Sequence, residues 1–491
     1  MPIAQVLVLA LCRFCQPFAL GATLVYLPEY VEVLGTQPTE VALAASLITA
    51  TFALCEAIAA IPWAALSDVV GRKPVILGTL VLAMLANVGF GFSTTLWQAV
   101  LCTGVAGITS GNVAVLRTAM TEAVPEPGHQ AQAFAALPAA AGVGFILGPV
   151  LGGYSTHAAK QLEPSNLFRR YPFALPNLCT AAPFLLGATV AFGLLVETRS
   201  RTNTGWYRPL LDQDPNSMPK PTDGAEMTER SRSEEPIPLG LLNDTHEASE
   251  SSKDAIDIPM PSEPHKAAAF LQYLHDAFAN AFRHLGNATV WSFTLITMSS
   301  SGYDNLIPIF LHYANPSRSE KDLTASMGLG KDTKTVGVLL TSYGLIGFVA
   351  TLFISPIVCK LWRPSRVLRG CALALPALYS AFALAMGFLG GGTAREVASY
   401  SCMMAKMCLS VSAMQSCLVV MPRTVGAEQL ASLHGLNAML AAVAKAVGAV
   451  VGGVAFSLSA HHSWASGPWW TLAVVAGLAI FPASAVERMV L

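Results

Sequence analysis

Arg13, Glu56, Asp304, Lys406 and Lys445 are ionisable side chains that stand well inside long apolar stretches of this sequence. In hydrocarbon each charge costs about 2.5–3.5 kcal/mol on insertion scales, so each needs a partner or a task. The chemistry such carboxylates offer is proton carriage, because a desolvated carboxyl group can hold a proton near neutral pH. Asp304 is the first candidate, within Tyr303-Asp304-Asn305-Leu306-Ile307-Pro308-Ile309-Phe310. It lies toward one end of its apolar run, so it reads either as a titrating site or as an interfacial carboxylate. Glu56, about midway along another run, reads as a second proton carrier or as the satisfied partner of a polar neighbour. Lys406 and Lys445 are the cationic partners on offer. Arg13 lies a turn or two from the end of the first run, where a long side chain can reach the interface by extending.

The elements that must hold these groups cross a membrane. Of 491 residues, 53% are hydrophobic and 12% charged, with mean hydropathy +0.52. A soluble chain carries roughly 25% charged residues, and this length would otherwise imply two or three soluble domains. There is too little charge to coat such domains, so lipid must cover much of the surface. Apolar runs near the 20 residues a span needs recur twelve times. Six precede a polar interruption: Ala4–Tyr26, Val41–Leu66, Pro74–Phe92, Leu96–Ala119, Ala133–Tyr154 and Pro172–Val196. Six follow it: Val290–Leu311, Thr335–Val358, Val367–Leu389, Val397–Val420, Leu433–Leu458 and Trp469–Ala485. The first run lacks a small-residue cleavage site and reads as a span, not a signal peptide. The expected fold is therefore all-α, with twelve transmembrane helices in two six-helix, pseudo-symmetric bundles over residues 1–197 and 289–491.

Residues 198–266 are rich in Ser, Pro and charge and read as a disordered linker. Residues 267–288 carry Phe270, Leu274, Phe278 and Phe282 at helical spacing and read as an amphipathic interfacial helix. An even number of spans puts both termini on one side. With the linker counted, Lys and Arg favour that side as cytosolic. A net charge of −1 gives no field for nucleic acid. The cysteines, Cys12 and Cys15 of a CxxC included, fall in apolar runs and read as small hydrophobes. Among enzyme signatures, Walker A, GxSxG, HExxH and zinc-ligand spacings are missing. His461-His462 reads as a solvated pair, so no metal and no cofactor is expected.

Two motifs are more specific. Between the second and third runs stands Ala64-Ala65-Leu66-Ser67-Asp68-Val69-Val70-Gly71-Arg72-Lys73-Pro74. Gly71 permits a reversal, Pro74 suits a first helical turn, and Arg72 with Lys73 would hold the loop to an anionic leaflet. In the fifth run, Gly144, Gly148, Pro149, Gly152 and Gly153 place small residues where another helix can approach. Gly448, Gly452 and Gly453 echo them in the eleventh run, as repeats would. Gly104, Gly107 and Gly111 share a face of the fourth, followed by Asn112.

Asp68, Gly71, Arg72 and Lys73 match the GxxxDxxGR[RK] signature, so the chain resembles the major facilitator superfamily. Ala64 stands where that signature has Gly, and Val69 where a basic residue is common. The Leu11-Cys12-Arg13-Phe14 and Pro62-Trp63 texts are similar to fungal drug:proton antiporter-like and zinc-induced-facilitator-like members. The fifth-run glycines resemble the antiporter motif, and the text around Asp304 resembles FDExxPxF. The resemblance implies spans one, four, seven and ten around a central solute path. It implies a conformational latch at Asp68–Lys73 and a monomeric, proton-coupled exporter of a small molecule in a plasma or vacuolar membrane. Asp304, Glu56 and Lys406 are then the proton-coupling candidates. Arg13, Gln16, Thr103, Asn112 and Lys445 are the cavity candidates. Two departures bear on coupling: Thr103 stands where relatives carry Arg, and Gln16 where they carry a carboxylate. A transport-inactive sensor or scaffold and an uncoupled facilitator are the alternatives these departures leave open.

Two sequons, Asn243-Asp244-Thr245 and Asn287-Ala288-Thr289, test the topology. With the linker in the cytosol, glycosidase treatment of the expressed protein leaves its gel mobility unchanged. A downward shift would place that loop in the lumen or outside the cell.

Overall fold

The computed structural model describes residues 2–124, 127–161, 170–198, 286–313, 328–389, 393–421, 430–462 and 464–490. The described residues fall within one compact unit. The expected linker from Arg199 onward and the stripe Phe270–Phe282 lie outside the described residues.

The described regular structure is helical. Span one runs Ile3–Val33, span two Val41–Val70 and span three Arg72–Gly91. Span four is Leu96–Ser110 continued by Val113–Ala123, with Gly111 and Asn112 at the break. Span five is Pro127–Gln161 and span six Ala174–Leu194. In the second half, span seven is Ala288–His312. Span eight is Thr333–Val349, a π-helical turn Ala350–Ile354, then Ser355–Leu361. Spans nine, ten and eleven are Pro364–Phe388, Thr393–Val420 and Leu430–His461. Span twelve is Gly467–Leu478 and Ile480–Val490.

Eleven of these are long and apolar enough to cross a membrane. Span seven, at 25 residues, is long enough too. Its Thr, Ser, Asp and Asn residues lower its hydropathy, because most of them are buried among other helices and not in lipid. Asn287 starts it as an N-cap, its carboxamide oxygen accepting from the Thr289 amide at 3.0 Å. The second sequon is thus also a capping motif.

Span one is longer than the sequence pattern suggests. Its 31 residues rise roughly 46 Å at 1.5 Å each, against a hydrocarbon core of roughly 30 Å. The apolar pattern stops near Tyr26, but the helix continues through Pro28 and carries Glu29 and Glu32 on its last turns.

Close helix contact depends on the small residues of span five. A Cβ on Gly144 would meet the Phe14 carbonyl at 2.8 Å, and one on Gly152 would meet the Ala22 Cα at 2.9 Å. Gly148 sits equally close to the backbone at Phe18. Those three glycines clasp span one. Gly153 faces the other way, where a Cβ would meet the Thr333 carbonyl at 3.1 Å and the Gly337 Cα at 3.3 Å. Span five therefore joins its own half to span eight of the other. The second half repeats the device. Gly448 and Gly452 pack on span seven at Met298 and Gly302, and Gly453 faces the Ala42 carbonyl of span two at 2.8 Å. The same register of small residues builds both seams, as expected of internal repeats.

Polar links between the halves cluster away from the termini. Asn305 donates to Ser46 at 2.7 Å and accepts from Thr49 at 2.9 Å. The Leu43 amide donates to Ser457 at 3.3 Å. Glu29, paired with Lys160 of its own half at 2.6 Å, accepts from Thr333 of the other at 2.5 Å. His312 stands 3.8 Å from Glu32.

Replacing Gly148 by Val forces a branched side chain into the span one backbone. Overpacking of this kind costs about 1–3 kcal/mol or more. Gly148→Val is expected to lower the melting temperature and the monodisperse yield in detergent. Gly78→Ala, with nothing within 4 Å of its Cβ, should leave both unchanged. Equal behaviour of the two variants would show that the span one–span five seam is not tight.

Candidate functional site

Span seven brings Asp304 to the middle of the second half, eight residues before its end at His312. Span ten brings Lys406, which is fully buried. The ammonium lies 2.5 Å from Asp304 Oδ1, a salt bridge that offsets part of its desolvation. Span eight supplies the third member. The Tyr343 hydroxyl donates to Asp304 Oδ1 at 2.6 Å and accepts from Lys406 at 3.0 Å. Lys406 also donates to the Ser300 carbonyl at 3.3 Å. The ring of Tyr303 lies 5.1 Å from the ammonium and that of Tyr343 5.7 Å, within cation–π range. Tyr303 in turn stacks on Tyr379 at 5.4 Å.

The two charges are unequally placed. Lys406 has no accessible side-chain surface, while Asp304 keeps 43% of its own. Span seven packs against spans one, two, eight, ten, eleven and twelve. Six other spans thus surround the helix that carries Asp304. Asp304 thus has one face on a buried cation and keeps accessible surface on another.

Glu56 does not join this cluster. It lies in span two and accepts from Ser110 of span four at 3.1 Å. Lys445 is exposed, and its carbonyl accepts from Ser301 at 3.0 Å. Arg13 sits ten residues into span one, roughly 15 Å from its start. There Arg13 lines a cavity with Gln16, Thr79, Thr109 and Asn112. Gln16 is shared with a second cavity that holds Thr103, Phe52 and Phe90. Asn112 donates to Thr79 at 2.6 Å. Thr103 turns back on its own helix, donating to the Ala99 carbonyl at 2.8 Å.

The loop at Asp68–Lys73 is tied to other parts of the chain. Arg72 is 8% exposed. Its guanidinium binds Asp68 at 2.5 Å, Ser67 at 2.7 Å and Glu122 at 3.0 Å. Glu197, just past span six, accepts from the backbone amides of Arg72 at 2.9 Å and Lys73 at 3.1 Å. Gly71 has φ +113°, and a Cβ there would meet the Glu197 carboxylate at 2.6 Å. The position requires glycine twice over. The other half has a counterpart: Glu487, near the end of span twelve, binds Arg369 of span nine at 2.6 Å. Glu122, Glu197 and Tyr343 escaped the sequence reading. A carboxylate recurring at the end of the sixth span of each half, opposite basic residues, was the available signal.

All ten cysteines are free thiols. Cys12 and Cys15 are buried in span one, and Cys15 donates to carbonyls of its own helix and of span six. Among the described residues no group of His, Cys, Asp and Glu could hold a metal ion.

Two halves of six spans, a seam of paired glycines and a buried charge cluster between spans seven, eight and ten define a polytopic transport protein. The family model for the Major Facilitator Superfamily matches residues 9–449, and the chain belongs to that family. It is 26% identical to the major facilitator superfamily multidrug transporter mfsB of Aspergillus fumigatus, covering 96% of this chain and 82% of the relative. It is 25% identical to Protein ZINC INDUCED FACILITATOR 1 of Arabidopsis thaliana, over 88% and 80% of the two chains. Its fold is similar to that of a bacterial homolog of the human lysosomal transporter Spinster in an inward-facing, unoccupied conformation. That match has a TM-score of 0.64 at 14% identity, covering 100% of this chain and 97% of the other.

The charge cluster predicts non-additive stability. Removing one partner of a fully buried pair costs roughly 3–5 kcal/mol, because the other charge is left uncompensated. The accessible edge of Asp304 lowers that figure here. Asp304→Asn should lower the melting temperature in detergent, and Lys406→Met added to it should restore most of the loss. Additive losses in the double variant would mean that the two side chains do not act as a pair.

Proposed function

We propose that this chain is a secondary transporter, not an enzyme, exporting a small organic solute from the cytosol in exchange for protons. The observation that carries the reading is the Lys406–Asp304–Tyr343 cluster. A buried cation holds a carboxylate that keeps accessible surface. Proton uptake on Asp304 removes the charge that Lys406 and Tyr343 bind. That changes the energy of the contacts between spans seven, eight and ten, and so biases how one half sits on the other. Links between the halves at Glu29, Glu32 and Asn305 close the face opposite the termini. With cytosolic termini, this arrangement is the state that takes solute from the cytosol. The network at Asp68–Lys73, Glu122 and Glu197 then acts as the latch, changing partners when that face closes. The printed name of the Aspergillus relative, a multidrug transporter, supports export of organic molecules. The plasma membrane or the vacuolar membrane is the proposed site of action, with the monomer as the working unit.

An uncoupled facilitator is the second reading. Gln16 and Thr103 line the first half's cavities, and no carboxylate stands among the lining residues, which supports a first half without a proton-carrying carboxylate there. A transport-inactive sensor is the third. Proteoliposomes with an internal pH dye separate them. Offered amphiphilic drugs, organic acids and amino acids, wild type should show a solute-dependent pH change. Asp304→Asn, confirmed folded and inserted, should lose at least tenfold of it. Saturable solute flux without a pH change would establish the facilitator. Silence across the panel would contradict transport.

A further inference from the structure

Arg13 is a cation in search of a counter-charge. It stands deep in span one, and among the described residues no hydrogen-bond or ion-pair partner is found for it. The charges near enough to act on it are Glu56 and Arg117. Glu56 is turned to Ser110 and does not line the cavity. An unpaired guanidinium at this depth is costly, and a protein that keeps one has a use for it.

The surroundings say what would satisfy it. The Gln16 carboxamide has no partner among the described residues and lines the same cavity. Asn112 commits one N–H to Thr79 and keeps the second. Three side chains thus offer N–H donors to one space, and no carboxylate lines it. Beyond Gln16 the neighbouring cavity turns apolar, with Leu20, Phe52, Ala86, Phe90 and Ala106 on its walls. Gln16 lines both cavities. Donors and a fixed positive charge at one end, and aromatic and aliphatic walls at the other, suit an amphiphilic anion.

We propose that Arg13, with Gln16 and Asn112, binds the carboxylate or sulfonate of an organic anion whose apolar body lies toward Phe52 and Phe90. The proposal rests on the transporter reading and narrows its substrate class. The anion also neutralises Arg13, so the loaded first half carries no uncompensated charge there.

The test uses the purified full chain and matched naphthalenes: 2-naphthoate, 2-naphthalenesulfonate, neutral 2-naphthamide and cationic 2-naphthylmethylamine. Binding is read as the concentration-dependent rise in melting temperature that any native-state ligand produces. Both anions should stabilise wild type, and the amide and the amine should do so at least tenfold more weakly. Arg13→Gln should weaken the anions about tenfold to a hundredfold, the range of a hydrogen bond to a charged group. Arg13→Lys, which keeps the charge and loses the planar fork, should recover part of it. Gln16→Ala, remote from the guanidinium's own fold contacts, should weaken both anions severalfold. Equal binding of all four compounds, preference for the amine, or anion binding unchanged in Arg13→Gln would each overturn the proposal. The same compounds in flux assays separate the two claims. Arg13-dependent binding without flux leaves the anion site standing and removes the transporter. Flux of other solutes, with neither anion bound, does the reverse.

Discussion

A lysine ammonium with no accessible surface, inside a helix that crosses lipid, is the constraint around which the second half is arranged. Lys406 is tolerable only because a carboxylate, a phenol, a carbonyl and two aromatic faces converge on it. Those groups come from spans seven, eight and ten, so the pair fixes how three helices meet. It also explains why span seven is the least apolar of the spans. A helix that must present Ser300, Asp304 and Asn305 to other helices has little circumference left for lipid.

On the proposed mechanism, the glycine seams are what would let such a charge cluster act at a distance. Between two halves whose backbones nearly touch at Gly153–Gly337 and at Gly453–Ala42, there is little side chain to absorb a shift. Close-packed interfaces respond by exchanging one arrangement for another and not by deforming. Span five touches span one on one face and span eight on the other, and spans eleven, seven and two repeat that relation. A change at Asp304 is thus two helical turns from the links at Glu32 and His312. The same span seven carries Asn305 to Ser46 and Thr49.

Much of the fold was legible in the sequence because hydrocarbon enforces simple rules. Apolar length found the spans, and small-residue spacing found both seams. Asp304 and Lys406 each stood out as charges without an evident solvent, although 102 residues separate them. Depth and partnership were harder. Arg13 reads as interfacial from its distance to the chain start, yet it faces a cavity nearly three turns in. Glu29 and Glu32 read as lying beyond span one, because a carboxylate usually ends an apolar run. They remain in the helix because Lys160, Thr333 and His312 meet them from elsewhere in the chain. Arg72 reads as a lipid anchor for the same reason: its partners Glu122 and Glu197 are 50 and 125 residues away. Pattern reveals what a segment is made of, while satisfaction of its polar groups depends on segments that pattern does not connect.

The central claim is that the charge on Asp304 sets how the two halves meet. Hydrogen–deuterium exchange of the purified chain, wild type against Asp304→Asn at one pH, tests it without added labels. The account predicts altered exchange at the remote seam, in peptides covering Glu29–Val33, Ile307–His312 and Thr333–Gly337, as well as around the cluster. Exchange altered only in the turns of spans seven, eight and ten that touch Lys406, with the seam peptides unchanged, would contradict it.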